Sequence, residues 1–435
     1  MREVVDQDTI RLLVGRIMFM LKGLREAEKV GEQGFESTSW RGQLLGFRHA
    51  LEIVVGSEKT SEVLDVVREE ACKIFGASRG NGLLRRAFPA PEDTSENLYF
   101  DSIAIGHRDK ALRDSLKALE LNPISARRYA CIVGSYLLLN QTVEAQAYLE
   151  EAWSKTIDCP ALHYCSYVIA FLNRDAGKMQ EQFMWGKGKV NVEHVMYSLE
   201  ARTHAFFGRL RAARHFSQQA VDSAERTGKS SLAASYQADA ALREALFGNS
   251  SEALREAECA LKRSDALDVV YEVALVRAMA GDTANAQPVL GEINTIPEHA
   301  VTKFNYLPTL NAQLALSRND ALKAIEVLLE AIPYELGDVG NTALFPVFVR
   351  AEAFLAADRG EESAKEFRKI LENPGIVANG PIGIRGRLGL ARAYATQKDT
   401  SKAISAYQDF LTLWKDADAN IPVLKEAKAE FAKLQ

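Results

Sequence analysis

Cysteine and histidine are scarce in this sequence and long apolar runs are missing, and each shortage removes a class of protein. The five cysteines, Cys72, Cys131, Cys159, Cys165 and Cys259, are odd in number and widely scattered. They do not make the even, regularly spaced framework of a disulfide-stapled domain and point instead to a reducing compartment, so a cytoplasmic chain is expected. Cys159, His163 and Cys165 fall close together, but no second Cys/His pair supplies the remaining ligands of a closed tetrahedral zinc, and no metal is expected. The seven histidines are spread through helical stretches with no nucleophile or paired carboxylate beside them. His204 and His215, on successive helices of one repeat, read as packed or surface residues. No catalytic residue and no cofactor is assigned, and the chain is not read as an enzyme.

Charge of one sign is also missing. With 53 Lys and Arg against 58 Asp and Glu, the formal net charge is −5, far from the concentrated basic face that nucleic-acid binders present, so DNA or RNA is not an expected partner. The longest uncharged stretch, around Tyr129 to Val143, is shorter than the roughly 20 apolar residues a bilayer crossing needs. The first apolar run, Leu12 to Leu24, is broken by Arg16 and Lys22 and preceded by Arg2, Glu3, Asp6 and Asp8, unlike a secretory signal. A soluble chain without a membrane span is expected. Apolar residues at 47% are enough to bury, so the chain folds.

Residues 1–78 read as a helical N-terminal segment. Ile10, Leu13, Ile17, Leu21 and Leu24 recur at helical spacing, as do Leu44, Phe47, Leu51 and Val55, then Val63, Val67, Ala71 and Ile74. The apolar stripe of the first of these helices is wide, and homodimerisation is one way to cover it. Residues 79–101 read as a linker, with Gly80, Gly82, Pro89 and Pro91 around Arg79, Arg85 and Arg86. Its glycines lack the spacing and the Lys-Ser/Thr of a phosphate loop. Glu96, Asn97, Leu98, Tyr99 and Phe100 reproduce the start of a recognition site for a viral cysteine protease used to remove tags, with Asp101 where that site has Gln. Residues 96–102 are therefore read as an engineered junction, which would make the preceding segment foreign. The competing reading is a genuine first helix, because Leu98 and Gly106 lie in register with the repeats that begin after residue 102.

From residue 102 to 422 a repeat takes over. Ala111 and Ala118 stand seven residues apart, as do Ala145 and Ala152, Ala213 and Ala220, Ala253 and Ala260, and Ala324 and Ala331. Two helical turns separate each pair, so both members face the same neighbour. With Ala286 and Ala403, the first members recur about every 33 to 40 residues, the period of a helix-turn-helix repeat, with about twice that spacing from Ala145 to Ala213 and from Ala324 to Ala403. Gly208, Gly248, Gly281 and Gly360 precede second helices, where a tight turn wants a residue tolerant of positive φ. In the last repeat, Leu390, Ala391 and Tyr394 should face Ala403, Tyr407 and Phe410. Residues 423–435 read as a capping helix with Lys425, Glu426, Lys428 and Glu430 outward. The fold class expected is all-α, an α-solenoid.

These offsets resemble the tetratricopeptide repeat, which implies a right-handed solenoid of stacked helix pairs. Several repeats lack the early Trp and the final Pro. From about His163 onward the chain resembles, more narrowly, the C-terminal tetratricopeptide region attached to many bacterial serine/threonine protein kinases. The runs that carry this are Ala220 to Arg226, Ala240 to Asn249, Phe304 to Leu310 and Tyr407 to Lys415. The kinase itself is absent, with no His-Arg-Asp loop, no Asp-Phe-Gly and no glycine-rich loop before a Lys-bearing strand. In such proteins the attached region can lie beyond a membrane span.

The resemblance implies binding rather than chemistry. First helices line the concave face of such an array, and the residues expected to face that groove and hold a partner are Tyr271, Tyr306, Gln313, Phe348, Glu352, Arg385 and Arg392. Aromatics with Arg are frequent hot spots. They do not reproduce the Lys/Asn set that clamps a peptide carboxylate in some tetratricopeptide domains. The function expected is a protein-interaction or sensory scaffold of a bacterial signalling protein, binding a peptide or protein in the groove. The alternative is a transcriptional regulator or helical-repeat enzyme whose N-terminal segment supplies activity.

Overall fold

The structure is a computed structural model, and the residues it describes are 17, 67, 99–100, 102–294, 301–337 and 340–435. The chain divides into two compact units, residues 1–97 and 98–435. The helices expected in the first unit, its dimerisation and nearly all of the 79–101 linker lie outside the described residues. Ile17 and Val67, each helical, are buried.

In the second unit every described regular element is a helix. Helix α1 (Arg108–Leu121) comes first. Pairs follow: α2 (Ala126–Leu138) with α3 (Thr142–Ser154), α4 (Pro160–Leu172) with α5 (Ala176–Gly186), and α6 (Glu193–Phe206) with α7 (Leu210–Arg226). Next are α8 (Ser230–Leu246) with α9 (Ser250–Leu261), and α10 (Leu267–Met279) with α11 (Thr283–Asn294). A π-helical turn, Thr302–Tyr306, leads into α12 (Leu307–Ser317), paired with α13 (Ala321–Val327). Helix α14 (Phe345–Ala356) pairs with α15 (Gly360–Leu371). The one-turn α16 (Pro374–Val377) precedes α17 (Pro381–Thr396) with α18 (Thr400–Leu413), and α19 (Pro422–Ala432) ends the array. This is the all-α helical-repeat solenoid that the period predicts.

One turn recurs in all eight pairs. Residues Asn140, Arg174, Gly208, Gly248, Gly281, Asn319, Asp358 and Lys398 each have φ between 55° and 85°. The following N–H reaches back to the carbonyl five residues earlier, as in Gln141 to Tyr136, Arg209 to His204 and Asp399 to Tyr394, at 2.8 to 3.1 Å. The left-handed residue also donates to the carbonyl three before it, as Gly208 does to Ala205. Together these form a Schellman cap, which satisfies the last carbonyls of the first helix. The next residue opens the second helix, and Asp175, Asp320 and Asp399 accept N–H groups there through their side chains. Proline opens α4, α17 and α19, where its missing N–H loses nothing. Gly360 is not the left-handed residue of its turn; Asp358 is. Gly360 is needed for closeness instead, since a Cβ there would lie 2.8 Å from the Ala393 carbonyl oxygen.

The repeated alanines mark where helices cross. Ala111, Ala145, Ala152, Ala213, Ala220, Ala253, Ala260, Ala286, Ala324, Ala331 and Ala403 are all fully buried, while Ala118 is partly exposed. In the last pair Ala391, Ala403, Tyr407 and Phe410 are buried, and Leu390 and Tyr394 pack against the same core. The array opens earlier than the linker boundary at residue 101 implies. Tyr99 and Phe100 are helical, Tyr99 is buried in the same core as Ile103 and Ala111, and its hydroxyl donates to the Cys131 carbonyl at 3.0 Å. Tyr99 is thus part of the array's packing.

Sequence period does not foretell the most consequential feature of this unit: its late repeats return to its early ones. Helix α17 packs on α6 and α8 as well as on its neighbours, and α16 packs on α2. The loop after α18 lies across the turns that end α6 and α8. Trp414 Nε1 donates to the Phe206 carbonyl at 2.9 Å, and its ring meets Phe247 edge-on at 5.2 Å. The Asp418 N–H donates to the Gly208 carbonyl at 2.9 Å. Further along the seam, Asn140 Nδ2 donates to the Glu372 carbonyl and its Oδ1 accepts from Gly375 N–H. Gly375 approaches so closely that a Cβ there would overlap the Leu137 carbonyl.

Candidate functional site

The residues expected to line the groove sit on first helices, and the return of the late repeats decides their exposure. Tyr271 on α10 is fully buried and stacks on Tyr306 of the π turn, rings 3.8 Å apart and 11° from parallel. Phe348 on α14 is 2% exposed, packed edge-on to Phe367 of α15, with the Arg385 guanidinium 6.0 Å from its ring. Arg385 on α17 is itself buried and reaches Glu352 of α14 at 3.5 Å. Tyr271, Tyr306, Phe348 and Arg385 therefore serve packing between successive first helices, which corrects the expectation that they present a contact surface. Gln313 and Glu352 remain half-buried, with 28% of the Glu352 side chain exposed.

Arg392 is placed differently. It lies about two turns beyond Arg385 on α17 and keeps 20% of its side chain exposed. Its guanidinium holds Glu430 at 3.0 Å and Glu426 at 3.1 Å, both on α19, and the Tyr407 hydroxyl donates to the same Glu430 at 2.9 Å. Burial works against the charge of Arg392, but the hydrogen bond and the charge of Glu430 outweigh it and raise its pKa above the ordinary arginine value. Four residues separate the two glutamates, so one helix face presents both. Glu352, Arg385, Arg392, Glu426 and Glu430 thus make a strip of mixed charge running from buried to exposed towards the end of the array.

Further inside, the first helices carry polar groups that the period does not reveal. Glu272 on α10 is 5% exposed; burial, then the charges of Asp239 and Asp268, push its carboxyl well above the usual range. Asp239 pairs with Arg243 at 3.4 Å, and Arg243 donates to Ser217 at 2.5 Å. Arg350 on α14 is 2% exposed and bridges Glu335 at 2.6 Å and Glu366 at 2.5 Å, with Lys369 on Glu335 at 2.7 Å. Buried charges of this kind persist only when paired, and breaking one partner leaves the other stranded.

Of the histidines weighed for chemistry, His163 and His204 are held in packing. His163 is stacked on Trp185 at 3.4 Å, Nδ1 beside Gln182 at 2.7 Å and Nε2 beside Asp158 at 3.0 Å. His204 stacks on Phe216 and lies 3.5 Å from Glu200; burial, then Arg209, lowers its pKa. His215 is exposed. Cys159, Cys165 and Cys259 are free thiols, and burial pushes Cys165 up to about 12. Among the described residues, no three His, Cys, Asp or Glu side chains converge as metal ligands, and no helix is long and apolar enough to cross a membrane.

The seam is the site that sequence reading missed. Asp418 accepts the backbone N–H of Arg211 at 2.8 Å and its guanidinium at 2.9 Å. Burial works to raise the Asp418 carboxyl, but these bonds outweigh it and hold it below the usual range. Asp418 caps α7 from 207 residues away. Trp414 lies within the run Tyr407 to Lys415 that carries the family resemblance, yet no local periodicity says what a lone Trp after a helix will touch.

No protein-family model matches the chain, and no curated protein matches it either. Solved structures of similar form include yeast Tom70, at 13% identity and a TM-score of 0.37 over 91% of this chain and 96% of that one. The P58(IPK) TPR domain gives 14% and 0.23 over 79% and 98%. The Cut9–Hcn1 hetero-tetramer of APC/C gives 12% and 0.29 over 79% and 73%. These superpositions are loose, and the fold rests on the helix pairs and turns of this chain.

Proposed function

We propose that the chain is a protein-interaction scaffold that receives an acidic, amphipathic helix or peptide of a partner, as the sensory or binding module of a bacterial signalling protein. The observation that carries the reading is the docking of α19: Arg392 and Tyr407 hold Glu426 and Glu430 of a helix laid where the next first helix would come. A first helix in a stacked array always offers its flank to the next one. At the end of this array that flank takes a segment with carboxylates four residues apart and an apolar face formed by Val423, Leu424 and Ala427. A bidentate guanidinium with a phenol beside it suits such a ligand. The resemblance of four sequence runs to kinase-attached tetratricopeptide regions supports the signalling context.

The test is affinity capture from bacterial extract with the full chain, with Arg392→Ala, and with a synthetic peptide of residues 419–435 as competitor. A partner engaging the strip is lost with Arg392→Ala, at about 1 kcal/mol or more for a hot spot, and is displaced by the peptide. Capture indifferent to both changes places the contact elsewhere and ends this reading.

A further inference from the structure

Where α4 and α6 of the early repeats face α15 to α18 of the late ones, the seam does not close completely. A cavity of about 150 Å³ remains. Its early wall is aromatic: Phe171 meets Phe206 edge-on at 5.1 Å, and Phe206 meets Phe207 at 5.3 Å. Its late wall is aliphatic, from Ile370, Leu371, Val377 and Leu413. Gly383 brings α17 close to this wall, since a Cβ there would stand 3.2 Å from the Phe206 ring and 2.7 Å from Val377. Ala378, also lining the space, is held at φ 46°, ψ −127°, a conformation that an L-residue adopts only when its surroundings impose it.

Two arginines complete the lining. Arg174 occupies the left-handed position of the α4–α5 turn, where three other pairs have glycine, and is exposed at the mouth. Arg387 projects from α17, and its buried Nε has no hydrogen-bond partner. Burial, then the neighbouring charge of Arg174, works against the charge of Arg387, and Asp409 offsets only part of this. A buried donor on a cation is costly to leave unmade, and an arrangement that leaves it so is suited to an arriving anion.

We propose that this cavity binds a small amphipathic carboxylate, an organic acid whose aromatic or branched aliphatic body lies among the phenylalanines while its carboxylate meets Arg387 and Arg174. Apolar cavities of about 150 Å³ are large enough to take a benzene ring. The paired guanidinium groups reject cations and give a carboxylate bidentate contacts that a neutral isostere cannot match. The ligand would touch early and late repeats at once, so occupancy would favour the closed seam by mass action. The cavity shares no residue with the Arg392 strip, and the proposal stands or falls independently of the partner reading.

The experiment is calorimetry and thermal melting of the full chain with phenylacetate and 4-methylpentanoate, and with phenylacetamide and phenethylamine as neutral and cationic counterparts. At least one of the two acids should bind with a Kd of about 1 mM or tighter and raise the melting temperature. The amide and the amine should do neither. Arg387→Gln should weaken the acid at least about tenfold, with Arg387→Lys retaining part of the affinity, because a charged hydrogen bond is lost in the first and half-kept in the second. Should Arg387→Gln lose its helical circular dichroism, Arg174→Gln serves instead, since its exposed side chain is not needed for packing, and it should weaken the acid by about threefold or more. Absence of saturable binding of both acids up to about 10 mM, equal binding of acid and amide, or unchanged affinity in the folded arginine variant would each overturn the proposal.

Discussion

Contacts within a helix pair and contacts across the seam hold the same array by different means. Inside each pair, a Schellman turn and buried alanines do the work, repeated with changes from α2 to α18. Across the seam nothing repeats. Trp414, Asp418, Asn140 and Gly375 make contacts, each of its own kind, with residues far away in sequence. Repetition tolerates loss, because each pair leans chiefly on its neighbours. A single seam has no spare copy, so damage there should free the late repeats from the early ones.

The comparison can be broken most directly at Trp414. It is 2% exposed and packed against Phe247 and Phe410, so Trp414→Ala should cost about 3–5 kcal/mol through lost burial and the cavity left behind. Chemical denaturation should then show the late repeats melting before the early ones, and a single unchanged transition would mean the seam is incidental. Within a pair, Ala403→Leu should cost about 1–3 kcal/mol by overpacking where α17 and α18 cross. That loss should lower the midpoint without splitting the transition. A smaller effect sharpens the electrostatics of the seam. Asp418→Ala removes a cap from α7 and should cost about 1 kcal/mol. Because the folded-state carboxyl lies below its unfolded value, the stability it contributes is present above the unfolded pKa and disappears as pH falls through the folded one. Melting of wild type and variant should therefore differ at neutral pH and converge in acid, and a gap that persists at low pH would assign the role of Asp418 to shape rather than charge.

Much of the fold is legible from local spacing. Alanines seven apart must share a helix face, and Gly208, Gly248 and Gly281 mark turns because only a left-handed residue closes them cheaply. The same logic misassigned Gly360, where the constraint is the nearby Ala393 carbonyl rather than φ, and it missed Arg174, Asp358 and Lys398, which take the left-handed position without being glycine. The candidate site was legible only in part. Arg392 keeps part of its side chain exposed beside α19, whereas Tyr271, Phe348 and Arg385 stand on the first helices expected and Tyr306 on the π turn before one, but all four are buried.

What the sequence determined by itself is therefore everything with a reach of one or two turns: helices, their caps, the small residues at crossings and the order of the pairs. These arise from the 3.6-residue period and from the steric demands of a turn, which neighbours along the chain already supply. The tertiary structure alone decided which first-helix residues stay open, where Arg387 ends up beside Arg174, and what Trp414 covers. Each repeat is rotated slightly against the last, and only after several such rotations do α17 and the loop after α18 come round to α6 and α8. A small change in that rotation, invisible in any one repeat, accumulates over the array and determines whether its ends meet.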